Sequence, residues 1–504
     1  MSVARVHAAQ PGVLSGNIVT VEADLSRGLY SFAIVGLAGK AVDEAKDRVS
    51  SAIKNSGFTS PKSENNKVVV SLAPADIKKE GPLFDLPIAI AYLVAAGEME
   101  EVPLQTLLVG ELALDGKLRE IRGVLPIVHA ARDAGFTEVV VPHGNAEESA
   151  LIENVTITPA RTLLEVINHL DTSRDDHAVL APQSPTQIAN LWDEDVVRLE
   201  DIRGQESAKR GLIIAATGRH NVILVGPPGT GKTMLARAMQ GILPPLSNPE
   251  ALEVTSIHSV AGTLSGKISS RPPFRSPHHT ASHTSLVGGG AHPKPGEVTL
   301  AHRGVLFLDE FPEFERRSID ALRQPLEDRI VSISRVHSSA LFPADFILIA
   351  AMNPTRGGDE RGDYASQMLE TYKNKISGPI LDRIDLWLPV PHVDYDTMTE
   401  KNTQSGETES AREQIAKARE RQRERFTDLG ITANAEMSAR TIDELIVLTD
   451  EVRELLRTSV QKFKLSPRSY HRVIKVARTI ADLDSKDHIE TSHVLEALQY
   501  RIKI

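Results

Sequence analysis

Asn221–Val225 reads NVILV and runs directly into GPPGTGKT, Gly226 to Thr233, after which MLARAMQGI has helical spacing. A short apolar strand, a glycine-rich loop and a helix in that order make up the setting of a phosphate-binding loop. Glycines at 226, 229 and 231 let backbone N–H groups curl around phosphate oxygens, and the N-terminus of the following helix adds partial positive charge. Lys232 is then placed for the β and γ phosphates of a nucleoside triphosphate and the Thr233 hydroxyl for Mg²⁺, while Pro227, Pro228 and Thr230 complete the loop. A glycine-rich turn that binds nothing has no need of this register.

Two further strands end in functional side chains. Val305–Asp309 reads VLFLD and is followed by Glu310. The spacing suits Asp309 to the magnesium shell and Glu310 to a water attacking the γ phosphate, although paired acids also cap helices. The strand FILIAA, from Phe346, leads to Met352-Asn353-Pro354. Asn353 then faces the same phosphates, or opens a turn before proline.

The chain of 504 residues divides into several folding units. Residues 1–168 alternate β-branched and helical segments, as in an α+β or α/β domain, and 169–190 are polar and proline-bearing, as in a linker. Residues 191–395 form an α/β block with the phosphate loop, 396–409 an acidic loop, and 410–504 an all-α domain. There is no cysteine, which excludes disulfides and thiolate chemistry. A net charge of −10 confines any nucleic-acid contact to a local basic surface. Leu86 to Gly97, the longest nearly apolar run, is too short to span a bilayer, and the opening MSVARVHAAQ lacks the apolar core of a secretion signal, so a cytoplasmic protein without a membrane partner is expected.

The three strand ends together resemble an AAA+ ATPase. DIRGQESAKRGL, FRSPHHTAS, HRGVLFLDE, LRQPLED, ISGPILDRIDL and LSPRSYHRVIKVARTIADL are similar to the magnesium-chelatase-like family called YifB or ComM, over essentially the whole chain. The fold this implies is a multidomain α/β protein with a Lon-protease-like N-terminal domain, an AAA+ P-loop core and an all-α C-terminal lid. The resemblance implies that Arg383, in LDRID, is an arginine finger for a neighbouring subunit's ATP. The alternative for Arg383 is an ion pair with Asp382 or Asp385. It further implies that Arg468 is the sensor-2 arginine of the lid, with Arg472 one turn later as a substitute, and that Gln205 approaches the adenine. ATP and Mg²⁺ are the implied cofactors, and a homo-oligomeric, hexameric ring acting on single-stranded or branched DNA is the implied assembly. A protein-remodelling or chelatase-type subunit is the alternative on the same core.

EGPLFDLPIAIAYLVAAG and the segment from Gly110 to Pro142 resemble the Lon catalytic domain and the C-terminal domain of the RadA motor. Leu83 follows Gly81-Pro82 where Lon-type hydrolysis needs serine, and VLPIVH follows Gly123 where it needs lysine nearby. A scaffold or DNA-facing ring is expected instead. Residues Asn248 to Gly304 carry the insert that the family projects into its pore, with His278, His279 and His283 close enough to raise a zinc site that lacks further ligands. RIVSISRVHSSALF reads as a β-hairpin bearing Arg329, Arg335 and His337, either solvated or gripping DNA phosphates. The helix at Ala411 to Phe426 mixes six basic residues with three acids, which suits a solvated or paired face as well as a DNA contact. Relatives carry cysteines just after Asn-Pro, where this chain has Thr355 and Gly357.

Overall fold

A computed structural model describes residues 3–188, 192, 196–264, 270–290, 294–335, 338–353, 376–394 and 406–501. The chain forms two compact units, one from 1–189 with 251–269, the other from 190–250 with 270–504.

The first unit is built on a seven-stranded mixed sheet. Its strands are β1 (Ala4–Pro11), β2 (Gly16–Arg27), β3 (Ser31–Val35), β4 (Asn66–Ala73), β5 (Thr106–Leu108), β8 (Glu138–Pro142) and β9 (Thr156–Ala160), in the order β3-β4-β2-β1-β5-β8-β9. A small hairpin of β6 (Glu111–Leu112) and β7 (Leu118–Arg119) stands outside it. Alternation along β2 and β4 buries Val19, Val21, Ala23, Val68, Val70 and Leu72, while the helix Asp85–Ala96 is apolar around most of its circumference and is buried along its length. Asp85 opens that helix fully buried: Arg48 grips both its carboxylate oxygens, at 2.7 and 3.0 Å, and the Leu112 N–H donates to it at 3.2 Å.

Two segments differ from the sequence expectation. Residues 171–188, within the segment 169–190 read as a linker, have no helix or strand but are pinned to the first unit: the N–H groups of Ala178, Gln183 and Thr186 donate to the carbonyls of Asn168, Ile157 and Ala150. Leu180 and Ile188 pack on the core. The segment from Ala251, read as part of the ATPase block, belongs to the first unit because its side chains find partners there. Ser259 Oγ accepts the Gly123 N–H at 3.0 Å, and Leu252 packs on the first unit's core.

The second unit holds five parallel strands in the order β11-β14-β17-β10-β18: β10 (Val222–Val225), β11 (Phe274–Arg275), β14 (Val305–Leu308), β17 (Ile347–Met352) and β18 (Leu386–Pro389). Each central strand is a continuous apolar run because both faces are covered, as parallel sheets require. Two antiparallel hairpins, β12 (Gly288–Gly289) with β13 (Lys294–Pro295) and β15 (Ile330–Arg335) with β16 (Ser338–Pro343), lie apart from this sheet. The C-terminal helices Glu407–Arg425, Asp450–Phe463, Pro467–Leu483 and Thr491–Gln499 share one hydrophobic core with the sheet, so the expected third domain is continuous with the second. Among the described residues no helix is long and apolar enough to cross a membrane.

Candidate nucleotide site

Parallel strands bring their carboxyl ends to one edge, where loops gather side chains into a crevice. Val225 pairs with Met352 and Leu308 with Ala350, so Gly226, Asn353 and Asp309 each follow a strand end on that edge. Gly226 permits a close approach: a Cβ there would meet the Val390 carbonyl at 2.0 Å. Gly229 and Gly231 have φ of +79° and +91°, in the left-handed region that favours glycine, and a Cβ on either would face open space. The helix Lys232–Ile242 starts immediately after.

Lys232 is buried, and its ammonium donates to the carbonyls of Gly226 and Pro227, both at 2.7 Å. Burial lowers its pKa, with the Asp309 carboxylate pulling the other way. Thr233 Oγ1 donates to Asp309 Oδ2 at 3.2 Å, the pairing of hydroxyl and carboxylate expected around a hydrated magnesium ion. Glu310 takes a left-handed backbone with φ of 50°, its N–H donating to Asp309 Oδ1 at 2.9 Å. A strained non-glycine residue at a strand end is held there by its surroundings. His279 is one of them: its Nδ1 lies 3.2 Å from Glu310 Oε2, and its ring sits 4.1 Å, centroid to centroid, from that of His278.

Nucleotide fits this donor set. Gln205 Oε1 is buried without a hydrogen-bond partner, while its Nε2 donates to the Pro391 carbonyl at 2.7 Å. A buried orphan acceptor of this kind suits the exocyclic amine of a base. Lys232, Thr233 and Asp309 offer a cation, a hydroxyl and a carboxylate of the kinds that phosphates and Mg²⁺ would need.

Arg383 and Arg468 meet away from the loop. Both guanidiniums bind Glu327, Arg383 through Nη2 in a short contact and Arg468 through Nη2 at 2.8 Å. The pairing proposed from sequence for Arg383, with Asp382 or Asp385, is not the one formed. Asp385 instead faces Arg472 at 3.2 Å and His220 at 3.5 Å, and accepts the Asn221 N–H at 3.1 Å. Glu327, Arg383, Asp385, Arg468 and Arg472 line a cavity of about 460 Å³ with Arg219, Arg329, Asp345 and Lys475, and no residue of Gly226–Thr233 is among its walls. Burial together with Arg472 and Arg329 pushes Lys475 down to about 8, against the pull of Asp385 and Glu436.

The other sequence-derived positions fall as follows. Arg329 lies before β15 and is drawn inward, 2.9 Å from Glu436 and 3.3 Å from Asp345, rather than along the hairpin. Arg335 ends β15, and its side chain, like the whole of His337, lies outside the described residues, as do Thr355 and Gly357. His279 is in a loop and His283 begins a helix, so they share no helix face, and no group of three or more metal-ligating side chains is found among the described residues. In the helix Glu407–Arg425, Arg412 donates to the Gly241 carbonyl, Arg419 to that of Ala216, and Arg421 and Arg425 pair with Asp487 and Asp482. Most of that basic charge is therefore structural. Glu327 and the contact of His279 with Glu310 were not visible in sequence, since nothing local links those positions.

A parallel sheet whose strand ends lead into a phosphate loop, an Asp-Glu pair and an asparagine fits an AAA+ ATPase core, and the family matches make it one of the magnesium-chelatase type. Family models described as magnesium chelatase subunit ChlI match residues 198–398, those of subunit ChlI of Mg-chelatase residues 21–145, and those of the ChlI C-terminal region residues 405–501. The chain is 42% identical to competence protein ComM of Haemophilus influenzae, over 100% of this chain and 98% of that protein. It is also 42% identical to YifB of Escherichia coli, over 99% and 97%. The chain belongs to the YifB/ComM family. A weaker similarity, 21% over 59% of this chain and 36% of the relative, reaches the DNA replication licensing factor mcm6 of Xenopus tropicalis.

Proposed function

We propose that this chain forms a ring, a hexamer, that binds ATP between protomers and uses its hydrolysis to move along single-stranded or branched DNA, as in branch migration during recombination and uptake of transforming DNA. The observation that carries this reading is the separation of the two anion-handling sets: Arg383 and Arg468 converge in a cavity that includes none of the phosphate loop. Guanidiniums so placed would serve the loop of the next protomer, which requires a head-to-tail assembly, closed into a ring in this reading.

Within one protomer, Gly226–Thr233 would cradle the phosphates, with Lys232 leaving its loop carbonyls for the β and γ oxygens. Thr233 and Asp309 would hold Mg²⁺, which would neutralise charge on the phosphates. Glu310 would polarise the attacking water, Asn353, just after β17, would face the same phosphates, and Gln205 would accept from the base. Arg383 of the neighbour meets charge developing on the transferred phosphoryl group, and Arg468 reports nucleotide to the lid. The first unit would be a Lon-like scaffold without peptidase chemistry. DNA contact would fall to the β15–β16 hairpin, including Arg335.

The names of the competence and replication relatives support DNA as the partner, and the ChlI family models keep a chelatase-type protein partner as the second reading. ATP turnover measured with and without single-stranded, duplex and branched DNA decides between them. Stimulation by DNA supports the motor, and indifference to every DNA together with stimulation by a tetrapyrrole-binding protein replaces it.

A further inference from the structure

The residue that organises the second anion-handling set is an acid. Glu327 lies on the short helix Arg323–Asp328 and is half exposed, yet its two carboxylate oxygens are divided between two cations, Oε2 with Arg383 and Oε1 with Arg468. Arg383 is withdrawn by this contact: its side chain is 8% exposed, Nη1 donates to the Pro379 carbonyl at 2.6 Å, and Nε has no acceptor. Two guanidiniums converging on the oxygens of one small anion is also the geometry that receives a phosphoryl group.

We propose that Glu327 is a positioning residue whose carboxylate, in the separate protomer, stands where the γ-phosphoryl oxygens of a neighbour's ATP would enter, so that the arginine pair becomes available only by exchange of one anion for the other. This rests on the ring ATPase proposed above. Exchange is feasible because Glu327 is solvent-facing and carries a single charge, whereas the incoming phosphates carry more. The same helix also grips the hairpin that follows it: the Ser332 N–H on β15 donates to Gln324 Oε1 at 3.3 Å. A polyanion that shifts the hairpin would move the helix and loosen Glu327 from both arginines, linking the hairpin's occupancy to turnover.

The test uses the full chain as wild type, E327Q, R383A and the E327Q/R383A double variant, with steady-state ATP turnover measured without DNA and with single-stranded DNA. The amide keeps the size of the side chain and removes its charge, and thermal unfolding of E327Q checks that the fold is unchanged. DNA-free turnover of E327Q should rise about three- to tenfold with KM for ATP unchanged, the magnitude expected for releasing a half-exposed ion pair. Stimulation by DNA should shrink by a similar factor, and the double variant should remain as slow as R383A. Turnover of E327Q at or below wild type, or a double variant faster than R383A, overturns the proposal while leaving the ATPase reading intact. A wild-type chain that hydrolyses no ATP under any condition removes the ATPase reading and this one with it.

Discussion

The phosphate loop and the arginine cavity both handle anions, but they are made by opposite means. The loop is eight consecutive residues whose backbone N–H groups, glycine conformations and helix start are fixed by local sequence. The cavity joins Glu327 to Arg383 and Arg468, and the Glu327–Arg468 pair is separated by 141 positions. In the loop the cation, Lys232, is parked on backbone carbonyls and needs no acid to hold it. In the cavity each arginine is matched by a carboxylate, and Lys475 donates to the Ala435 carbonyl, because buried guanidiniums without partners cost more than tertiary packing returns. A site made of consecutive backbone groups can hold its cation without an acid, whereas one assembled from distant guanidiniums needs carboxylates to offset them.

The sharpest way to break that contrast is to remove Arg383, the finger of the proposed ring. Arg383→Ala should lower turnover by about 10³ to 10⁵ while ATP binding at the loop persists. Mixing it with Lys232→Ala should recover part of the activity, since one intact loop can then face one intact Arg383. Titrating the two variants against each other in an ATPase assay checks this, and a mixture with no recovery shows that loop and arginine serve the same protomer. Next in size, Glu310→Gln should retain ATP and lose about 10² to 10⁴ in turnover, measured by nucleotide binding beside phosphate release. Normal release from that variant takes the water-activating role away from Glu310.

What could be read from sequence follows the same division. Asp309 and Asn353 follow the ends of apolar parallel strands, and Lys232 and Thr233 open the helix that the loop after β10 leads into; periodicity plus motif spacing locates such places without tertiary information. Glu327 is in a segment noticed only for its spelling, because its importance depends on contacts 56 and 141 positions away. The stretch 171–188 looks like a linker for a related reason. It is held by backbone donors, which leave no trace in side-chain composition. Arg329 seemed part of a DNA-facing hairpin because the strand pattern includes it. Its left-handed backbone, φ 57°, ends the preceding helix and turns the side chain toward Glu436.

Neutralisation of the cavity can be tested through stability. Asp345 faces Arg219 at 3.1 Å, Arg303 at 2.9 Å and Arg329 at 3.3 Å. Burial raises its pKa, but the three guanidiniums outweigh it and hold the carboxyl below the ordinary carboxylate range. A depressed folded pKa stabilises the fold above the unfolded value, near 4, and that contribution is lost as pH falls toward the folded value. Asp345→Asn should therefore cost about 3 kcal/mol at neutral pH, with the gap from wild type narrowing only below about pH 4. Denaturant unfolding across pH measures it. A gap that stays constant into acid assigns the loss to hydrogen bonding and shape instead of charge.

The smallest effect concerns the loop's own neutral acceptor. Gln205 Oε1 is buried and unpartnered while Nε2 is already committed to Pro391, so the side chain is oriented before any base arrives. An acceptor fixed in this way rewards an amine and penalises a carbonyl in the same place, which separates adenine from guanine. Gln205→Leu should raise KM for ATP about tenfold, the equivalent of one hydrogen bond, with little change in kcat. Discrimination against GTP should fall by a similar factor, because leucine offers neither reward nor penalty. If KM for ATP and GTP rise together, the residue supports the loop through Pro391 and does not read the base, and the contrast between a pre-paid local site and a neutralised distant one then rests on the phosphates alone.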